Sequence, residues 1–152
     1  MSLFNYIKAK GIFTACVISI LCLTVVHTPA RDEGTGIKFF EGTWEEALKK
    51  SGSENKLIFL DLSTSWCGWC KKMKLNTYSD KKAGEYFNSN FINVELNAEQ
   101  GEGQRLARKF GVTGYPTVFL IDKNENALLT SEGYHEADEL IKLIKTAVKD
   151  RK

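Results

Sequence analysis

The spacing of apolar positions changes several times along this chain, and each change marks an element. Leu57-Ile58-Phe59-Leu60-Asp61-Leu62 is almost unbroken apolar sequence, the pattern of a central parallel strand covered on both faces. Phe91 to Leu96 alternates instead, with Ile92, Val94 and Leu96 on one face, and reads as another strand. Thr117-Val118-Phe119-Leu120-Ile121 predicts a further strand. After the polar turn Asp122-Lys123-Asn124-Glu125-Asn126, Ala127 to Thr130 returns antiparallel. Ile37 to Phe40 predicts a short edge strand ahead of all these.

Helical signals fall between the strands. Thr43-Trp44-Glu45-Glu46 has the form of a capping box and opens a helix to about Lys50, stopped by Ser51-Gly52-Ser53. A second helix begins at Cys67 and runs through Leu75. Ser79 is placed to cap a stretch containing Ala83, Tyr86 and Phe87. Glu102 to Phe110 is a short helix ended by Gly111. Leu140, Ile141, Ile144, Ala147 and Val148 form one stripe on a last helix from about Glu136 to Lys149. The order is β-α-β-α-β-α-β-β-α, an α/β chain with a central mixed, mostly parallel sheet flanked by helices.

The first thirty residues follow a different logic. Lys8 and Lys10 are their only charges, and the run from Gly11 to Val26 carries none. A basic start, a short apolar run and small residues at Thr28 and Ala30 read as a secretory signal peptide cut after Ala30. The run is short for a membrane span of about 20 residues; an uncleaved anchor is the alternative. Removal of residues 1–30 leaves one domain, 31–152, and takes Cys16 and Cys22 with it. Cys67 and Cys70 remain, in a compartment where a cysteine pair cycles or stays bridged.

Composition narrows the classes further. With 152 residues, 43% hydrophobic and 26% charged, the chain can build one ordinary core. Apart from Lys8 and Lys10, the basic residues equal the 19 acidic ones in number. Such a neutral body gives no sign of nucleic-acid binding, which needs a basic patch.

The candidate chemistry lies in Leu60-Asp61-Leu62-Ser63-Thr64-Ser65-Trp66-Cys67-Gly68-Trp69-Cys70-Lys71-Lys72. Two cysteines three positions apart at a helix start lie on one side of the first turn, within bridging reach. Cys67 at the helix head faces unpaired amide N–H groups and the positive dipole end, which favours thiolate. Cys70, one turn in, is expected to be the more buried. Cys67 is then the attacking thiol and Cys70 the resolving one. Other uses of the pair fit less well. Structural zinc needs four ligands, and the body left after residues 1–30 offers the two cysteines and the distant His135. Covalent haem attachment wants His where Lys71 stands. A purely structural bridge over so short a span constrains the unfolded chain little.

Trp66-Cys67-Gly68-Trp69-Cys70 after an apolar strand, with Tyr115-Pro116-Thr117 downstream, resembles the thioredoxin superfamily from about Ile37 to Val148. The continuation to Lys71, Lys72 and Met73 looks most like small exported thioredoxin-like proteins. Thr77-Tyr78-Ser79-Asp80 also resembles the C-terminal periplasmic domain of the thiol:disulfide interchange transporter. The resemblance implies a thioredoxin fold and assigns roles. Pro116 matches the family's cis-proline beside the cysteines. Its missing N–H leaves the Tyr115 backbone free to pair with an extended substrate. Trp66 matches the tryptophan before the nucleophile, and Trp66, Trp69, Tyr115 and Pro116 together form a substrate surface. Asp61, six residues before Cys67, matches the buried acid under the disulfide. A lone carboxylate in that strand is desolvated, so its pKa rises and suits proton exchange with Cys70.

There are departures from the pattern. Gly68-Trp69 replaces the Gly-Pro of thioredoxin itself. Glu95 stands where many thioredoxins place a lysine near the buried acid; in one register it approaches Asp61, and one residue off it faces solvent. Lys71 and Lys72 read as solvated helix surface, with help to the thiolate as the alternative.

The resemblance therefore implies an exported, monomeric thiol–disulfide oxidoreductase, a reductase more than an oxidant, needing no metal or cofactor. Its partners would be exported proteins carrying disulfides and a membrane-bound or soluble thiol electron donor. The alternatives are a redox-inert binding module with a closed disulfide, and a disulfide isomerase.

Overall fold

The computed structural model describes residues 36–150. The expected signal peptide, 1–30, lies outside the described residues. Within them, α1 (Trp44–Glu54) is followed by β1 (Leu57–Ser63) and α2 (Gly68–Met73). A π-helical turn (Lys74–Tyr78) leads to α3 (Lys81–Asn90), β2 (Phe91–Asn97) and α4 (Gly101–Lys109). β3 (Thr117–Ile121), β4 (Ala127–Glu132) and α5 (Ala137–Lys149) complete the order.

The sheet runs β2-β1-β3-β4 and is mixed. Only β1 and β2 pair in parallel; β1–β3 and β3–β4 are antiparallel. The parallel share is thus smaller than expected, because Ile37 to Phe40 does not become a strand. That segment follows the edge of β2 with one backbone bond, Phe40 N–H to Asn93 O at 2.7 Å. Its other anchors along this edge are side chains. Lys38 donates its N–H to Asn88 Oδ1 at 2.8 Å, and Asn93 Nδ2 donates to Lys38 O at 3.1 Å. Asparagine amides take the place of a ladder and cover the open edge of the sheet.

β1 is buried along nearly its whole length, as its apolar run requires. Its residues alternate between two cores. Phe59 joins Met73, Tyr78, Phe87, Val118 and Leu140 beneath α3 and α5. Ile58, Leu60 and Leu62 join Trp44, Ala47, Leu106 and Phe119 beneath α1 and α4. Asp61 follows Phe59 by two, so a carboxylate occupies the first core where a further aliphatic side chain would be expected.

Several helix ends differ from expectation for local reasons. The Thr43–Glu46 capping box forms. However, α1 passes through Ser51-Gly52-Ser53 because the buried Ser51 hydroxyl donates to Lys56 O at 2.5 Å. Asn55, with φ 50°, ends the helix instead. α2 does not stop at Leu75 but widens into the π-helical turn, whose Thr77 and Tyr78 are buried. The cap of α3 is Asp80, whose carboxylate accepts from Ala83 N–H at 2.9 Å. Ser79 turns back to Leu75 O, closing the preceding turn.

Candidate active site

The strand β1 ends at Ser63, and Thr64-Ser65-Trp66 carries the chain to Cys67 at the head of α2. Cys67 is the N-cap residue, with extended backbone. Its Sγ accepts the Cys70 backbone N–H at 3.0 Å, the place a serine or aspartate oxygen takes at an ordinary helix start. Cys67 and Cys70 are joined as a disulfide, with their Cα atoms 5.3 Å apart. Both residues are 5% exposed. The expected difference in burial is therefore absent; one bridge draws both sulfurs under the same cover.

Asp61, in β1 six residues before Cys67, is 2% exposed. Its Oδ1 is buried and makes no hydrogen bond. Burial pushes its pKa up to about 7, and the neighbouring Glu95 carboxylate adds to the rise. The Tyr78 hydroxyl, Lys74 and the Ser63 hydroxyl pull the other way. Tyr78 OH meets no partner at standard hydrogen-bond geometry, yet it lies close enough to feel the acid. Burial first, then Asp61 and Glu95, hold the phenol well above its ordinary pKa.

The register settles the position of Glu95. In the parallel pairing, Asp61 stands opposite Glu95, so both carboxylates sit on one face. Glu95 is half-buried and bonded to Lys74 Nζ at 2.7 Å. A lysine does reach the acid pair, but from the π-helical turn rather than from the strand.

The aromatic rim comes from three segments. Trp66 is 65% exposed and Trp69 58%, so neither is core. Trp66 Nε1 donates to Glu99 Oε1 at 3.0 Å, and its ring meets Tyr115 edge-on at 6.0 Å. The Tyr115–Pro116 bond is cis. Thr117, the next residue, pairs with Leu62 on β1, which brings this corner to the strand that leads into Cys67. Trp69 reaches Tyr134, ring centres 5.7 Å apart.

Lys74, Tyr78 and Tyr134 carry no assigned role in the sequence pattern, although Tyr78 lies in the resembling segment Thr77–Asp80. Lys74 and Tyr78 lie one and two turns beyond Cys70, so continuing the helix would have found them. Tyr134 is distant in sequence, and no local pattern marks it. Among the described residues no group of three or more His, Cys, Asp or Glu side chains is placed to hold a metal ion. Nor is any helix there long and apolar enough to cross a membrane.

Residues 44–147 match the thioredoxin-like domain family, and the chain belongs to that family. A proposed disulphide-isomerase from Bacteroides thetaiotaomicron is 38% identical, with TM-score 0.68 over 75% of this chain and 94% of that one. The oxidised C-terminal domain of DsbD from Neisseria meningitidis shares the fold. It is 23% identical, with TM-score 0.59 over 72% of this chain and 99% of the domain. The thiol:disulfide interchange protein DsbD of Haemophilus influenzae strain PittEE is 30% identical over 107 residues, 67% of this chain. The chain spans only 18% of the length of that relative. The family is one of disulfide oxidoreductases, and Cys67 and Cys70 form its CxxC pair here.

Proposed function

We propose that this chain is a thiol–disulfide oxidoreductase that reduces disulfides in exported proteins, with Cys67 as nucleophile and Cys70 as resolving thiol. The observation that carries the reading is a bridged cysteine pair at a helix head, with a buried carboxyl, its pKa pushed up to about 7, in the strand that leads into it.

In the reduced protein the Cys67 thiolate attacks one sulfur of the substrate disulfide. A Cys67–substrate S–S bond forms, the substrate bond breaks, and the released substrate thiolate takes a proton. Cys70 then gives its proton to Asp61 and attacks Cys67 Sγ. The Cys67–Cys70 bond forms, the mixed disulfide breaks, and the second substrate thiolate leaves and is protonated. Two electrons pass to the substrate, and a thiol donor, membrane-bound or soluble, returns the pair to dithiol. Asp61 suits its part because it holds or releases a proton near neutral pH. The amide N–H that meets Cys67 Sγ in the bridge favours thiolate in the dithiol. Trp66, Trp69, Tyr115 and Pro116 form the surface over which an extended substrate lies. Pro116 has no N–H, which leaves the neighbouring Tyr115 backbone for the substrate.

The reading includes export through a leader in residues 1–30, a periplasmic setting and a monomer. The similarity to part of a protein named for thiol:disulfide interchange supports the exchange chemistry.

Insulin reduction by dithiothreitol tests the proposal. The chain should accelerate precipitation, Cys67→Ser should abolish the effect, and Cys70→Ser should accumulate mixed disulfides. Equal rates for wild type and Cys67→Ser would remove the enzyme reading.

Disulfide isomerisation is the second reading, favoured by the 38% identity to a proposed disulphide-isomerase. It predicts that the chain, reduced beforehand, reactivates scrambled ribonuclease without further reductant.

A further inference from the structure

The loop between β4 and α5 closes one side of the site. Gly133, with φ 101°, donates its N–H to Pro116 O at 2.8 Å. Thr77 Oγ1 donates to His135 O at 2.5 Å. Tyr134, between these two anchors, donates its hydroxyl to Glu136 Oε1 at 2.7 Å. The loop is thus tied to the proline corner, to the π-helical turn and to the start of α5.

Tyr134 meets α2 through a three-part stack. Lys72 Nζ lies 4.4 Å from the Tyr134 ring centre and 5.1 Å from that of Trp69. The two rings are tilted at 40° to each other. An ammonium over two aromatic faces is attracted to both quadrupoles. Trp69, between the cysteines, is 58% exposed, and an exposed indole on a helix surface would otherwise sample several rotamers. Lys72 makes no ion pair among the described residues, and its ammonium lies over these two rings.

An open groove of about 310 Å³ lies against this stack, lined by Trp69, Tyr115, Gly133 and Tyr134. Three of its walls are rings. The fourth is a glycine, where a Cβ would meet no protein atom, so the groove stays open there.

We propose that Tyr134 and Lys72 are substrate-positioning residues that hold Trp69 as a wall of this groove. The groove would take one aromatic or large aliphatic side chain next to the cysteine under attack. This rests on the oxidoreductase reading above and adds to it a preference for cysteines flanked by apolar residues. A fixed wall favours binding because its ordering cost is met before the substrate arrives.

Two disulfide-linked peptides test it, identical except for Phe or Ser beside the attacked cysteine. The reduced full chain should favour the Phe peptide about tenfold in kcat/KM, an effect of the size one aromatic contact gives. Lys72→Met keeps the aliphatic stem and removes the charge. It should bring the ratio toward one by raising KM for the Phe peptide, with the loss in KM rather than kcat. It should also change the Trp69 near-ultraviolet circular dichroism. Tyr134→Ala should have the same effect, and the double variant should be no worse, since both act through one stack. A wild-type ratio of one, or an unchanged ratio in Lys72→Met, overturns the inference. Failure to reduce either peptide removes the oxidoreductase reading instead.

Discussion

Asp61 and Glu95 face each other as register partners across β1 and β2, and one lysine, Lys74, serves both carboxylates. The pair is asymmetric. Asp61 is buried, while Glu95 is half-buried and bonded to the lysine at 2.7 Å. Proton affinity in such a pair collects on the member that water reaches least.

Variants of the two neighbours should therefore move Asp61 in opposite directions. Glu95→Gln removes a like charge, and the Asp61 pKa should fall below about 7. Lys74→Met removes the opposing cation, and the pKa should rise. Carbon-13 NMR of the Asp61 carboxyl in the oxidised chain reads both shifts without any substrate. Shifts of the same sign would show that the two groups do not act on Asp61 by charge.

Asp61 itself has a kinetic and a thermodynamic signature. Wild-type resolution by Cys70 should slow as pH falls through about 7, where Asp61 becomes protonated. Asp61→Asn should be slow below about pH 8 and lose that inflection. Stability moves the other way. A carboxyl whose folded pKa is raised binds its proton more tightly in the fold, so its contribution is full below the unfolded pKa, near about 4. That contribution is lost as pH rises to about 7, by no more than about 4 kcal/mol. Urea unfolding should find Asp61→Asn equal to wild type at pH 4 and more stable at pH 8. Parallel stability curves for the two proteins would contradict the burial argument.

Glu125, far from the cysteines, should matter for stability alone. It sits at φ 63° in the β3–β4 turn and accepts from Trp44 Nε1, Arg105 and Lys109. The bond to Arg105 is the largest reason its pKa lies at about 2. Trp44 is buried, so Glu125→Ala leaves its indole N–H without an acceptor, at a cost of about 1–3 kcal/mol. The sign follows from a depressed pKa: the stabilisation is present above the unfolded value and is lost as pH falls toward 2. Acid unfolding should begin at higher pH in Glu125→Ala, with insulin reduction at pH 7 unaffected.

Much of this molecule is legible from residue pattern, where the pattern reflects burial. The run from Leu57 to Leu62 announces a strand with two covered faces, and its one carboxylate announces a desolvated acid. The three-residue cysteine spacing at a helix head announces the bridge. What escapes has its cause elsewhere in the chain. Ile37 to Phe40 has strand-like residues, but Asn88 and Asn93 amides hold it in place of a ladder. Ser79 and Asp80 are both good caps, and only the length of the π-helical turn decides between them. The alternation in β2 does not say which strand it will pair with. The contact of Glu95 with Asp61 therefore becomes visible only when β1 and β2 are in register. Tyr134 joins the site through a fold closed by other residues.

The seam between α4 and β2 gives a last prediction, in which helix propensity and packing disagree. Gly103 lies in the first turn of α4, and replacing a helical glycine by alanine ordinarily adds about 1 kcal/mol. Here a Cβ would stand 2.1 Å from Asn97 O and 2.7 Å from Asn97 C. Both atoms belong to the backbone of β2, so neither can rotate away. The helix must lift from the strand, and overpacking of this kind costs about 1–3 kcal/mol. Packing should win, making Gly103→Ala a net loss. Gly52, inside α1, supplies the contrast: its nearest atom is Lys123 Cδ at 4.0 Å, the end of a flexible side chain. Gly52→Ala should raise the thermal midpoint and Gly103→Ala should lower it. The lift would also reach the site, because Glu99, which anchors the Trp66 indole, lies between β2 and α4. Trp66 emission should therefore shift in Gly103→Ala and stay constant in Gly52→Ala. A gain in stability for both variants would mean that α4 and β2 are not in backbone contact.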